Sequence, residues 1–286
     1  MRSPRLMYYT QALVRTKRTM TVFSKTHGLY YDYTGPELAS NQNLPRVFLN
    51  GIGMTASHWK PLIELLPPGP TLVHDFKDQL RSPKADTNYS MESHADELKT
   101  LLDELKFDRV VLIGTSYGSE VAMLFTLKYP SLCAGLVIID GVSFSDARLK
   151  AAVVSWKVAA LDNPRVFYRT LIPWNYSAEY IQTHAEDLNA REDGLAALPR
   201  EYFEGFIRLC DAFLDLDITD RLPEISCPTL VIVGEMDILK DRTYSQVLHE
   251  KIAGSRLVEI PGAGHAVVIE NPRTLADTIG PFLLDL

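Results

Sequence analysis

The chain has 286 residues, 46% hydrophobic and 23% charged, with a formal net charge of −7. That is enough apolar material for one large core, or a core carrying an insertion. The acidic balance offers a nucleic acid or an anionic membrane little to hold, and the expected partner is a small molecule.

In chain order, residues 1–18 stand apart. Arg2, Arg5, Arg15, Lys17 and Arg18 all precede the first acid, Asp32, and read as a basic N-terminal arm outside the fold. The stretch "LMYYTQALV" is too short and too interrupted for a signal peptide. No run approaches the roughly eighteen apolar residues of a membrane span, so no stable membrane insertion is expected. Residues 19–25 and 29–33, joined around His27-Gly28, predict an antiparallel hairpin. Short apolar runs follow at 47–49, 72–74, 110–113, 136–139, 230–233 and 257–260, a pattern of strands buried on both faces. Helices alternate with them. "SMESHADELKTLLDELKF" puts Met91, Ala95, Leu98, Leu101, Leu102 and Leu105 on one face behind Ser90 as N-cap. Another helix runs from Gly118 to before Pro130. The alternation predicts an α/β fold with a mostly parallel, doubly wound sheet.

Between 143 and 226 the pattern is only helical, in "DARLKAAVVSWKVAALDNP", "SAEYIQTHAEDLNA" and "REYFEGFIRLCDAFLDL". This predicts a core of 19–142 and 227–286, with a helical cap at 143–226 inserted after the sixth strand. Cys133, Cys210 and Cys227 are odd in number, widely spaced and set among apolar neighbours. They read as free thiols of a reducing compartment, the cytoplasm. Without CxxC or HExxH there is no expected metal site, and no cofactor. Nothing in the pattern sets an oligomeric state.

The chemistry starts at "GTSYG", residues 114–118, between a buried strand and a helix. A turn this sharp strains its central residue and leaves space only for glycine on either side. It presents the Ser116 hydroxyl at a helix N-terminus, where a developing oxyanion is stabilised. This is the GxSxG nucleophile elbow. A serine needs a base, and the base an orienting acid. His265 follows a strand in the glycine-flanked loop of "EIPGAGHAVVIENP". The other histidines read as helix or turn residues, except His74, which follows a strand too early in the chain. Asp237 follows the strand of "PTLVIVGEMDIL". Asp140, ending "LVIID", is the alternative acid, with Asp241 and Glu235 behind it. The oxyanion donors expected are the N–H of Tyr117 and of Ile52, the latter in the "NGIG" loop. Gly51, Gly53, Met54, Trp156, Trp174 and Val267 are expected to line the pocket.

Together these motifs resemble the α/β-hydrolase superfamily from about residue 19 to the C-terminus, on "GTSYG", "VGEMD", "GAGH" followed by "ENP", and the "NG" loop. The resemblance implies a lid made by the inserted helices. It implies a serine hydrolase acting through a Ser116–His265–Asp237 triad and an acyl-enzyme, on a carboxylic ester of small to medium apolar acyl chain. Alternatives with the same parts are an acyltransferase or thioesterase, a cofactor-free lyase, C–C hydrolase or haloperoxidase-like enzyme, and a non-enzymatic binding protein. Two departures stand out: Asn50 where relatives often have histidine, and a glycine-free loop, "HDFKDQLRSP", where they often have a glycine-rich turn.

Overall fold

The computed structural model describes residues 18–35 and 44–286. Its centre is an eight-stranded sheet in the order β1-β2-β4-β3-β5-β6-β7-β8. Strands β1 (Arg18–Phe23) and β2 (Tyr30–Gly35) form the antiparallel hairpin, and β2 also runs antiparallel to β4 (Thr71–His74). From there β3 (Arg46–Leu49), β5 (Val110–Thr115), β6 (Cys133–Ile139), β7 (Thr229–Gly234) and β8 (Arg256–Ile260) are all parallel. The hairpin begins at Arg18, so this residue belongs to β1 and not to the arm; residues 1–17 lie outside the described residues.

The central strands are apolar because both faces are covered. On β5, Val110 and Leu112 join the core cluster on one side of the sheet, and Val111 and Ile113 the cluster on the other. The period-2 alternation of a strand sends successive side chains to opposite layers. Helices α2 (Met91–Glu104), α3 (Tyr117–Lys128) and α9 (Arg242–Lys251) contribute to the first cluster. Residues of α1 (Lys60–Ile63), α10 (Val267–Glu270) and α11 (Pro272–Leu284) contribute to the second. Strand β8 departs from the expectation of full burial, since Arg256 and Glu259 are exposed. It is the edge strand, with a neighbour on one side only.

Five helices intervene between β6 and β7: α4 (Ala147–Asp162), α5 (Pro164–Asn175), α6 (Ala178–Thr183), α7 (Ala185–Ala196) and α8 (Arg200–Leu214). Their base is tied by two backbone hydrogen bonds, Ser145 N to Leu216 O at 2.9 Å and Ile218 N to Ser143 O at 2.8 Å. Asp146 caps α4 and Asn163 caps α5, which explains how consecutive helices start sharply inside one polar-apolar run. The three cysteines are free thiols, although the fold brings the Sγ atoms of Cys133 and Cys227 to 3.7 Å. Among the described residues no helix is long and apolar enough to cross a membrane.

Candidate active site

Ser116 sits between β5 and α3 with φ 51° and ψ −120°, a left-handed strain that few non-glycine residues hold. Its neighbours explain why the turn stays closed. A Cβ on Gly114 would fall 2.4 Å from Gly118 O, and one on Gly118 would fall 2.1 Å from Leu49 O. Glycine is needed here for space. The turn is also pinned to β6: Ser116 N donates to Ile139 O at 2.8 Å, and Ser119 Oγ donates to Ile139 O at 3.0 Å.

The serine hydroxyl lies 2.9 Å from His265 Nε2, and His265 Nδ1 lies 2.7 Å from Asp237 Oδ2. The other oxygen of Asp237 accepts the N–H groups of Leu239 (2.8 Å) and Lys240 (2.9 Å). The carboxylate is therefore fixed from behind while one edge faces the imidazole. Three residues far apart in the chain meet because β5, β6, β7 and β8 are consecutive in the sheet and all end on this edge. The loop bearing His265 is held by the inserted helices. Glu270 Oε1 accepts Gly264 N and Ser177 N, both at 3.1 Å, and Ala266 N donates to Asn175 O at 2.7 Å. A Cβ on Gly264 would meet Ser177 N at 2.6 Å, so this loop passes directly beneath the insertion.

Asp140, the alternative acid, is brought to the same place and used differently. It is fully buried with φ 49°, and its Oδ1 accepts Gly234 N at 2.9 Å. Its Oδ2 has no hydrogen-bond partner among the described residues, and no bond joins it to His265. Burial first, and the Asp237 carboxylate second, push the Asp140 carboxyl well above the usual range. It keeps its proton where an ordinary carboxyl has lost it. Ligand-type atoms of Asp140, Asp237 and His265 lie within 4.8 Å of one another, spacing that a cation could use. The short Asp237–His265 bond makes Asp237 the acid that engages the imidazole, while Asp140 is held by Gly234 N.

A second buried pair adjoins it. Lys240 Nζ lies 3.0 Å from both oxygens of Glu120, and Glu120 Oε1 also accepts Val142 N at 2.8 Å. Burial raises the Glu120 carboxyl while Lys240 pulls it back down. Neither residue carries a motif signal; each reads in the sequence as an ordinary helix or loop charge.

The "NG" loop is braced by the glycine-free segment that follows β4. The Asn50 amide donates to His74 O (3.0 Å), Asp75 Oδ1 (3.2 Å) and Gln79 Oε1 (3.0 Å), and Asn50 Oδ1 accepts Trp59 Nε1 at 2.8 Å. Gln79 Nε2 donates to Gly51 O at 2.9 Å, and Asp75 Oδ1 accepts Ala56 N at 2.7 Å. Side-chain amides thus hold the loop where relatives' pattern would place histidine and glycines. Ile52 and Tyr117 both line the cavity above Ser116, and among the described residues neither N–H is taken up by a hydrogen bond.

That cavity has a volume of about 410 Å³. Gly51, Gly53, Met54 and Trp156 line it, with Ser116 and His265. Phe167, Tyr168, Tyr202, Phe206 and Phe213 of the inserted helices complete an apolar roof. Trp174 and Val267 do not line it. On α5 the lining stripe is Phe167, Leu171 and Asn175 with Tyr168 and Ile172. Helical spacing carries Trp174 just past that stripe and onto the core cluster. Val267 belongs to the core cluster that also holds Trp59 and Leu62, while its neighbours Ala266 and Val268 line the cavity.

Comparisons with known proteins bear on the fold that carries this site. Residues 47–278 match the family described as the alpha/beta hydrolase family. A relative from Stutzerimonas stutzeri, named carbamate hydrolase RutD, is 31% identical over 77% of this chain and 84% of its own. Among solved structures, MGS-M2, an alpha/beta hydrolase from a Medee basin deep-sea metagenome library, superposes with TM-score 0.87 at 28% identity, covering 93% of this chain and 98% of that one. Est816, described as an N-acyl homoserine lactone degrading enzyme, superposes with TM-score 0.76 at 27% identity, covering 92% of this chain and 100% of its own.

Proposed function

Because the chain belongs to the alpha/beta hydrolase family and is a hydrolytic enzyme, we propose that it cleaves carboxylic esters of small to medium apolar acyl chain through a Ser116 acyl-enzyme. The observation that carries this reading is the continuous chain Ser116–His265–Asp237, at 2.9 and 2.7 Å, on the wall of an apolar cavity.

The steps follow from the atoms present. Ser116 Oγ attacks the ester carbonyl as its proton passes to His265 Nε2. Asp237 holds the Nδ1–H tautomer and stabilises the imidazolium that forms. The carbonyl oxygen, now an oxyanion, accepts the free N–H groups of Ile52 and Tyr117. Collapse breaks the carbon–oxygen bond, and the leaving alkoxide takes the proton back from Nε2. A water then gives a proton to Nε2 and attacks the acyl carbon; the bond from that carbon to Ser116 Oγ breaks, Oγ takes the proton back from Nε2, and the acid is released.

The test is direct. Ser116→Ala should lose turnover of p-nitrophenyl butyrate while keeping its circular dichroism spectrum, and a fluorophosphonate should label Ser116 alone. Label on another residue, or full activity in the alanine variant, refutes the reading. A lactone is the cyclic form of the same substrate class, and the likeness to Est816 favours including lactones in the screen. Added alcohol acceptors separate hydrolysis from acyl transfer, the other use of this acyl-enzyme.

A further inference from the structure

The cavity wall carries one arginine, exposed toward solvent, that has no carboxylate partner among the described residues. Seven arginines lie in the inserted segment, and six pair with carboxylates: Arg148 with Asp241, Arg165 with Glu192 and Asp193, Arg169 with Glu192, Arg200 with Glu204, Arg208 with Asp78, and Arg221 with Glu224. Arg191 is the exception among the described residues. Its neighbour in sequence, Glu192, turns to Arg165 and Arg169, and the guanidinium of Arg191 donates instead to the Tyr176 hydroxyl at 3.1 Å. It is also the one of the seven that lines the cavity.

The rest of the lining does not offset that charge. Among the described residues no aspartate or glutamate faces the cavity. Lys240 is neutralised by Glu120, and His265 is engaged with Asp237. Burial holds His58 below the usual histidine range, and its Nδ1 accepts Thr55 N at 3.0 Å. Two further donors on the roof are unused. Trp156 Nε1 and the Tyr168 hydroxyl are buried, belong to lining residues, and have no partner among the described residues. Buried donors left without acceptors cost stability unless something fills them, and a cation on an otherwise apolar wall selects an anion.

We propose that Arg191 binds a carboxylate on the substrate, so that the preferred substrates are esters or lactones bearing a free acid remote from the scissile carbonyl. This deepens the ester-hydrolase reading and rests on it for the reaction, though not for the binding. The apolar stretch between Ser116 and Arg191 then takes the methylene chain that separates the two functional groups.

Monomethyl and dimethyl esters of straight-chain dicarboxylic acids, from four to eight carbons, give anionic and neutral substrates of matched backbone. The monoester should be preferred in kcat/KM, through KM, by at least about tenfold, the low end for a charge-assisted hydrogen bond. In Arg191→Gln that monoester-to-diester ratio should collapse, and Arg191→Lys should restore part of it. A ratio unmoved by Arg191→Gln overturns the proposal. Binding is read separately, by calorimetry of the monoester on Ser116→Ala with and without Arg191→Gln. Arg191-dependent binding without turnover in the parent enzyme supports the carboxylate site and counts against the esterase reading. Equal binding with and without Arg191 overturns the site, whatever the turnover.

Discussion

Two buried aspartates flank His265, and exchanging each for asparagine should separate them. In Asp237→Asn the amide oxygen stays where Oδ1 is, because the N–H groups of Leu239 and Lys240, at 2.8 and 2.9 Å, require an acceptor. The amide NH2 then occupies the place of Oδ2, 2.7 Å from His265 Nδ1. A donor there forces Nδ1 to accept, which moves the imidazole proton to Nε2, facing Ser116. The serine loses its base without moving. On the serine-hydrolase template this exchange costs about 10⁴-fold in kcat, or about 5.5 kcal/mol of transition-state stabilisation. In Asp140→Asn the amide oxygen keeps the Gly234 N–H, and the NH2 replaces an oxygen that makes no bond to His265. The expected loss is under about tenfold, less than about 1.4 kcal/mol. The assay is kcat for p-nitrophenyl butyrate at pH 7, with enzyme concentrations normalised to folded protein by circular dichroism. An Asp237→Asn variant within tenfold of the parent, or an Asp140→Asn variant as impaired as Asp237→Asn, refutes the tautomer argument.

Trp156 lines the cavity and Trp174 does not, so Trp156→Ala should shift the optimum of a p-nitrophenyl ester series toward longer chains, while Trp174→Ala leaves the optimum in place; kcat/KM from acetate to decanoate measures both. His74 supplies a pH-dependent stability term. It is fully buried, neither ring nitrogen is hydrogen-bonded among the described residues, and burial lowers it from 6.5 to about 4. The unfolded chain therefore takes up the proton first as pH falls, so this contribution is complete above 6.5 and is lost between 6.5 and 4. By pH 5 the loss is about 2 kcal/mol. Urea unfolding at pH 7 and pH 5 should show a drop that is smaller by about that amount in His74→Asn; an equal drop in both proteins refutes the assignment.

What was legible in the sequence was what local spacing controls. The buried strands announce themselves as short apolar runs, and GTSYG is legible because the glycines are demanded by contacts between residues four apart, Gly114 against Gly118. The order of the three site residues followed from strand ends on one sheet edge. Features set by meetings between distant elements were not legible. Glu270 reads as part of "ENP", yet it ties the His265 loop to Ser177, 93 residues away. The Glu120–Lys240 pair spans 120 residues. The glycine-free loop after β4 looked like a gap in the pattern, because its role is played by side chains, Asp75 and Gln79, reaching back to the Asn50 loop. Trp174 was misplaced for a smaller reason: the segment's aromatic content is visible, but a few tens of degrees of helical phase decide which rings face the cavity.

The three buried acids around His265 also have a common logic. Were Asp140, Asp237 and Glu120 all ionised beside a neutral imidazole, Lys240 would leave two uncompensated negative charges out of water, which is strongly unfavourable. Burial and the Asp237 carboxylate push Asp140 toward its protonated form, and Glu120 pairs with Lys240. One negative charge then remains, on Asp237, and it is stabilised in the resting state only by hydrogen bonds. Its counter-charge arises when His265 takes the serine proton, so on the proposed mechanism the ion pair is completed in the transition state and not before, the differential stabilisation that accelerates a reaction. Lys240 serves both halves of this arrangement. Its backbone N–H holds Asp237 in place, and its ammonium neutralises Glu120, keeping a second acid from competing for the imidazolium.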